Sequence, residues 1–132
     1  MKPGVYKATK KDGQIYYRGN ITYSGKHISI GSFDTEIKCN IAYQEAWDIL
    51  KNRAISILNL QKYITELSFE KCITLLNFRD NHIYSKTPIY LQKNYFLYFL
   101  DKNTVLKFDN DDLFYYSSHK IQNRGGHMFV SD

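Results

Sequence analysis

Apolar and polar residues alternate over the first 33 positions, in three runs separated by turn residues. Gly4–Thr9 is the first run, and Lys10-Lys-Asp-Gly13 after it is a turn signal. Ile15–Tyr23 follows, closed by Ser24-Gly25, a short hairpin connection, and His27–Phe33 completes the set. A two-residue loop at Ser24-Gly25 pairs Thr22 with His27, Ile21 with Ile28 and Asn20 with Ser29. That register gathers Tyr17, Gly19, Ile21, Ile28 and Ile30 on one face. Tyr16, Arg18, Asn20, Thr22, His27 and Ser29 fall on the other. One apolar and one polar face is the pattern of an antiparallel sheet covered on one side. The first hairpin admits two arrangements. A two-residue loop at Asp12-Gly13 puts Ala8 on the apolar side. A three-residue loop with Gly13 left-handed puts Tyr6 and Ala8 on the polar side and Val5 in the core, and is preferred because it buries Val5.

The period then changes. Asp34 and Thr35 are good N-cap residues, and Glu36 adds negative charge to a first turn. Ile37, Ile41, Ala42, Ile49 and Leu50 recur at helical spacing with Trp47 beside them, which predicts a helix over the apolar face. Gly19 and Ala42 are small where a helix lying on a sheet needs close approach. Ala54–Leu67 either continues that helix or connects it to the next element. Ser68–Arg79 reads as a short capped helix with Phe69, Cys72, Ile73 and Leu76 on one stripe. Strands are expected at Ile89–Leu91, Tyr95–Leu100, Thr104–Phe108 and Leu113–Tyr116, with turns at Asp101-Lys-Asn103 and Asp109-Asn110. His127–Val130 is strand-like too. The expected class is α+β: an N-terminal three-stranded antiparallel sheet packed on one helix, then a smaller α+β module rich in antiparallel strands. Residues 1–53 form the first unit in this reading, 54–67 a helical connection, and 68–132 a short helix with a strand-rich module.

Composition sharpens the class. With 43% hydrophobic and 23% charged residues the 132-residue chain reads as globular rather than disordered. Twelve Tyr and eight Phe favour strands and supply flat, polar-tipped side chains for a binding surface. No apolar run reaches membrane-spanning length, and no signal peptide is recognised behind Met1. Cys39 and Cys72 lack zinc-type spacing, so they read as packing cysteines in a reduced, cytoplasmic setting. Charge is unevenly placed. Residues 1–33 hold Lys2, Lys7, Lys10, Lys11, Arg18 and Lys26 against Asp12 alone, an excess of five that equals the net charge of +5 of the whole chain. A polyanionic partner for this segment is the expectation.

Gly4-Val5, Gly19-Asn-Ile21, Ile30-Gly-Ser-Phe-Asp-Thr35, Ala42-Tyr43 and Glu45-Ala46 resemble the Apetala-two/ethylene-response-factor type of DNA-binding domain over residues 4–53. That type also stands at the front of some phage and transposon integrases. The resemblance implies that the sheet, not the helix, lies in the major groove of double-stranded DNA. It places base contacts on Tyr6, Ala8, Asn20, Thr22, His27 and Ser29. Most of these positions hold Arg or Trp in the plant pattern, whereas Arg18 is the only arginine on this face, so a different specificity is implied. Tyr16 and Arg18 share the face. Tyr6 and Tyr16 either shield the sheet or stack on sugars and thymine methyls. Lys10, Lys11 and Lys26, at turns, are candidate phosphate contacts.

The tail, Val105-Leu-Lys-Phe-Asp-Asn-Asp-Asp112 followed by Gly126-His-Met-Phe129, is similar to the opening segment of some phage His-Asn-His endonucleases that carry an Apetala-two-like domain. Their metal-binding and general-base histidines would lie further on. His27, His82, His119 and His127 lack zinc-ligand spacing, and Asp109-Asn-Asp-Asp112 lacks the ligand pattern of a calcium loop. No catalytic residue, metal or cofactor is therefore expected. The leading expectation is a DNA-binding protein of phage or mobile-element type, located in the cytoplasm or on a bacterial nucleoid. A non-catalytic fragment of a nuclease or integrase stands second. A small protein that binds a nucleoprotein or protein partner through residues 68–132 stands third.

Overall fold

The structure, a computed structural model, describes residues 4–109 and the backbone strands 120–124 and 127–131. The first three strands are β1 (Val5–Thr9), β2 (Ile15–Tyr23) and β3 (Lys26–Phe33), antiparallel in the order β1-β2-β3. Ser24 and Gly25 both take positive φ (51° and 78°), the twist that a two-residue hairpin requires. The pairs Asn20–Ser29, Ile21–Ile28 and Thr22–His27 follow as expected. In the first hairpin Gly13 is left-handed (φ 88°), Lys10 N donates to Gln14 O, and Val5 is buried, which is the three-residue-loop arrangement.

One extra residue interrupts the β2–β3 ladder. Asn20 pairs with Ser29 but Gly19 pairs with Gly31, so β3 bulges at Ile30 and alternation resets beyond it. Ser32 therefore stands opposite Arg18, and Phe33 opposite Tyr17. Glycine at 19 makes room for the bulge. A Cβ there would lie 2.5 Å from Ile30 Cγ1 and 3.4 Å from Cys39 Sγ. Tyr17, expected among the covered residues, is only half-buried and lies outside the main core cluster.

Helix α1 (Glu36–Lys51) starts at Thr35, whose Oγ1 accepts from Lys38 N at 3.1 Å. Its buried stripe is Cys39, Ala42, Ala46, Ile49 and Leu50. Ile37 and Ile41 were expected on that stripe, but they face outward, and Ile37 is 71% exposed. The small residues explain the rotation. Where Ile30 bulges over Gly19, Cys39 and the alanines let the helix approach closely, and two isoleucines would hold it off. The fully buried Ile28, Ile30 and Ile49 each contribute about 1.5–3 kcal/mol of apolar burial.

Between the helices only Leu60–Lys62 is helical, a single 3-10 turn, in place of the expected helical connection. Two asparagines account for it. Asn52 Oδ1 accepts from Ala54 N, while Asn59 accepts from Ser56 N and donates to Ala54 O. Such side-chain bonds offer the backbone an alternative to helix. Helix α2 (Phe69–Asn81) is capped by Ser68, which accepts from Lys71 N, and ends at left-handed His82. A single apolar stripe was expected, yet every residue from Cys72 to Arg79 is buried. The reason is position: α2 packs on α1 and also on the second sheet. That sheet, antiparallel in the order β4-β5-β6, comprises β4 (Ile89–Leu91), β5 (Tyr95–Asp101) and β6 (Thr104–Asp109). Strands β7 (Lys120–Arg124) and β8 (His127–Ser131) pair with each other. The strand expected at Leu113–Tyr116 falls outside the described residues. Among the described residues, no helix is long and apolar enough to cross a membrane.

Apolar packing continues past Arg53. One cluster of buried residues runs from Ile21, Ile28 and Ile30 through Ile49 and Leu50 to Ile55, Leu67, Ile73 and Phe99. Two polar devices reinforce it. The buried Glu45 carboxylate of α1 accepts from Thr65 N (2.5 Å), Thr65 Oγ1 (3.0 Å), Glu66 N (2.9 Å) and Leu67 N (3.0 Å). Buried Arg79 of α2 donates to Ile49 O (2.9 Å) and Asn52 O (3.1 Å), satisfying carbonyls at the end of α1.

Candidate nucleic-acid interface

Helix α1 covers one face of the β1–β3 sheet and leaves the other open. Pairing sets what the open face carries. Tyr6 stands opposite Arg18, and Ala8 opposite Tyr16. Asn20 stands opposite Ser29, Thr22 opposite His27, and the bulge adds Ser32 beside Arg18. Tyr6, Arg18, Thr22, His27, Ser29 and Ser32 are exposed, while Ala8, Tyr16 and Asn20 are half-buried. Ten of the eleven residues singled out from the sequence thus belong to this surface or to the turn at its edge.

The face is polar and, among the described residues, carries no carboxylate. Among the described residues, Arg18 has no side-chain hydrogen bond or ion pair, so its guanidinium donors are available. Thr22 Oγ1 lies 2.7 Å from His27 Nδ1, which orients the imidazole and occupies that nitrogen. Lys10 Nζ lies 5.9 Å from the Tyr16 ring centroid at the turn end, where Lys11 is also exposed. A depression of about 270 Å³ opens at this corner, lined by Lys10, Gln14, Ile15, Tyr16, Ser32, Phe33 and Asp34. Asp34, its acidic member, is paired with Lys38 at 3.3 Å.

Lys26 is not brought to this face. It pairs with Tyr23 on the helix side, and its Nζ lies 5.1 Å from the Tyr84 ring centroid. Lys7, opposite Tyr17, is on the helix side as well. Sequence reasoning missed Ser32, whose place depends on the bulge. The signal was there in Ile30-Gly31, because a glycine inside a strand marks a bulge. It also missed Lys71 and Tyr84, which join Lys26 only through the tertiary fold.

The ionisable groups of the interior serve packing. Burial pushes the Cys72 thiol up to about 12, and it raises Cys39, with Glu36 adding to the effect. Burial would raise the Asp80 carboxyl, but hydrogen bonds from Arg79 and Tyr90 and the charges of Arg79 and Arg53 hold it below its ordinary value. Among the described residues, no group of three or more His, Cys, Asp or Glu is placed to hold a metal ion. No family model, no curated protein and no solved structure matches the chain.

Proposed function

We propose that this chain binds double-stranded DNA, seating the open face of the β1–β3 sheet in the major groove, and catalyses no reaction. The observation that carries the reading is Arg18: among the described residues, an exposed arginine without a protein partner, at the centre of a polar strand face free of carboxylates. A guanidinium so placed can give two donors to guanine O6 and N7, and neighbouring Asn20 can pair with adenine N6 and N7. Lys10 and Lys11 at the turn supply phosphate contacts, and the excess of five basic side chains in residues 1–33 supplies the long-range attraction. The resemblance of residues 4–53 to the Apetala-two/ethylene-response-factor type supports the same docking, and with the tail resemblance suggests a phage or mobile-element protein. Such a protein acts in the cytoplasm, on the nucleoid in a bacterium.

The test is selection of a preferred duplex from a random pool, followed by binding of Arg18→Ala. The variant should lose about 1–3 kcal/mol on the selected site and less on random DNA. Its unfolding transition should match that of the wild type. Equal losses on both DNAs would reduce Arg18 to a phosphate contact, and absence of duplex binding by the intact chain would end the reading.

A further inference from the structure

We infer that Lys26, Lys71 and Tyr84 form a phosphate-binding corner at the β2–β3 end of the sheet, built jointly by the hairpin and by α2 with the loop after it. The inference takes its partner from the DNA reading above and extends the contact surface beyond Arg53. Lys26 Nζ lies 5.1 Å from the Tyr84 ring centroid, and Lys71 Nζ lies 5.9 Å from the same centroid and 3.4 Å from the Tyr84 hydroxyl oxygen. Two ammonium groups thus share one ring. Among the described residues neither makes an ion pair with a carboxylate. Like charges drawn together without an acidic partner leave a local field that an anion relieves.

The chemistry suits a phosphodiester. Lys71 donates to the Tyr84 oxygen, which leaves the phenolic proton free to be donated to a phosphate oxygen. Lys71 sits in the first turn of α2, the positive end of the helix dipole, where a cation is disfavoured and an anion favoured. The seat is held in place from behind. Tyr84 meets Phe78 edge-on at 5.8 Å, and Phe78 meets Tyr23, the strand partner of Lys26, at 5.9 Å.

Sheet dimensions bring this corner to the DNA backbone. The nine residues of β2 extend roughly 30 Å, against a major groove about 12 Å wide that curves round the duplex. A strand of that length emerges from the groove at its ends. Lys10 and Lys11 stand at one end, and Lys26 with Lys71 and Tyr84 at the other.

The experiment uses the full chain and random-sequence duplexes, with affinity measured over a series of salt concentrations. Lys26→Met and Lys71→Met keep the aliphatic stems against the ring and remove the charge. Each should weaken binding to all sequences equally and lower the slope of log affinity on log salt by about one, with Lys71→Arg restoring it. Matching unfolding transitions confirm that the variants are folded. Wild-type binding with a steep slope that both variants leave unchanged overturns the corner and leaves the face intact. Absence of duplex binding by the wild type overturns both.

Discussion

Replacing Glu45 by Gln removes a charge and an acceptor from the buried set of bonds that fastens α1 to the residues just before α2. In the wild type Oε2 accepts from Thr65 N and Thr65 Oγ1, and Oε1 accepts from Glu66 N and Leu67 N. A glutamine can keep one of these oxygens. If its NH2 replaces Oε2, the Thr65 hydroxyl can turn to accept, but Thr65 N–H faces another donor. One buried N–H without an acceptor costs about 1–3 kcal/mol, and loss of the charge weakens the bonds that remain. The expected loss is roughly 3 kcal/mol, against the 5–15 kcal/mol of a typical domain. The protein should therefore stay folded in the cold and melt lower by about 12 °C, at about 4 °C per kcal/mol for this size.

The assay is urea unfolding followed by far-ultraviolet circular dichroism, with a thermal melt beside it. An unchanged denaturant slope with a lower midpoint would assign the loss to the native bonds. Glu45 lies on the covered side of the sheet, so duplex affinity measured well below the melt should match the wild type. A stability within about 0.5 kcal/mol of the wild type would refute the argument, because water would then satisfy the freed N–H as well as the carboxylate does.

Gly19→Ala should destabilise by about 1–3 kcal/mol in the same urea assay, because its Cβ would sit 2.5 Å from Ile30 Cγ1 and the bulge would have to shift. Stability should also depend on pH at both extremes, as read from urea midpoints. The Asp80 carboxyl has a lowered folded pKa, so its contribution is complete above the ordinary carboxylate value and is lost as pH falls through the folded one. Cys72 and Tyr90 have raised folded values of about 12, so their contributions are complete below their ordinary values of 9.0 and 10.0 and are lost as pH rises toward 12. Asp80→Asn should remove the acid arm and also reduce the Tyr90 part of the alkaline arm, because the Asp80 carboxylate adds to burial in raising Tyr90. A flat profile below pH 4 in the wild type would contradict the argument.

The parts of the fold that local residues determine were legible in the sequence. Ser24-Gly25 fixes the second hairpin, and alternation outward from it assigns Arg18, Asn20, Thr22, His27 and Ser29 to one face before any tertiary contact is known. The side of Lys26 followed from the same loop, since pairing it with Tyr23 puts it with the covered residues; its place at a turn hid this. Features that depend on distant residues were not legible. Hydrophobicity favoured Ile37 and Ile41 as the buried stripe of α1, whereas the bulged Ile30 selects the smaller Cys39, Ala42 and Ala46. Glu45 looks like an ordinary helix glutamate until Thr65–Leu67, twenty residues on, bring their N–H groups to it. The eight consecutive buried residues of α2 show no stripe because the helix is enclosed from more than one side.

This division bears on how the proposed interface is built. The open face is set by strand alternation, and its side chains contribute little to the core, so it can change specificity one residue at a time without loss of stability. The Lys26–Lys71–Tyr84 corner is different in kind. Tyr84 rests on Phe78, a member of the cluster that joins the first sheet to α2, so the corner exists only while α1 and α2 remain packed together. A fragment ending at Arg53 would keep Arg18 and the open face but would leave Glu45 without its donors and Ile49 and Leu50 uncovered. Residues after Arg53 thus serve the proposed DNA contact twice, by completing the core behind the sheet and by supplying a charge at its end.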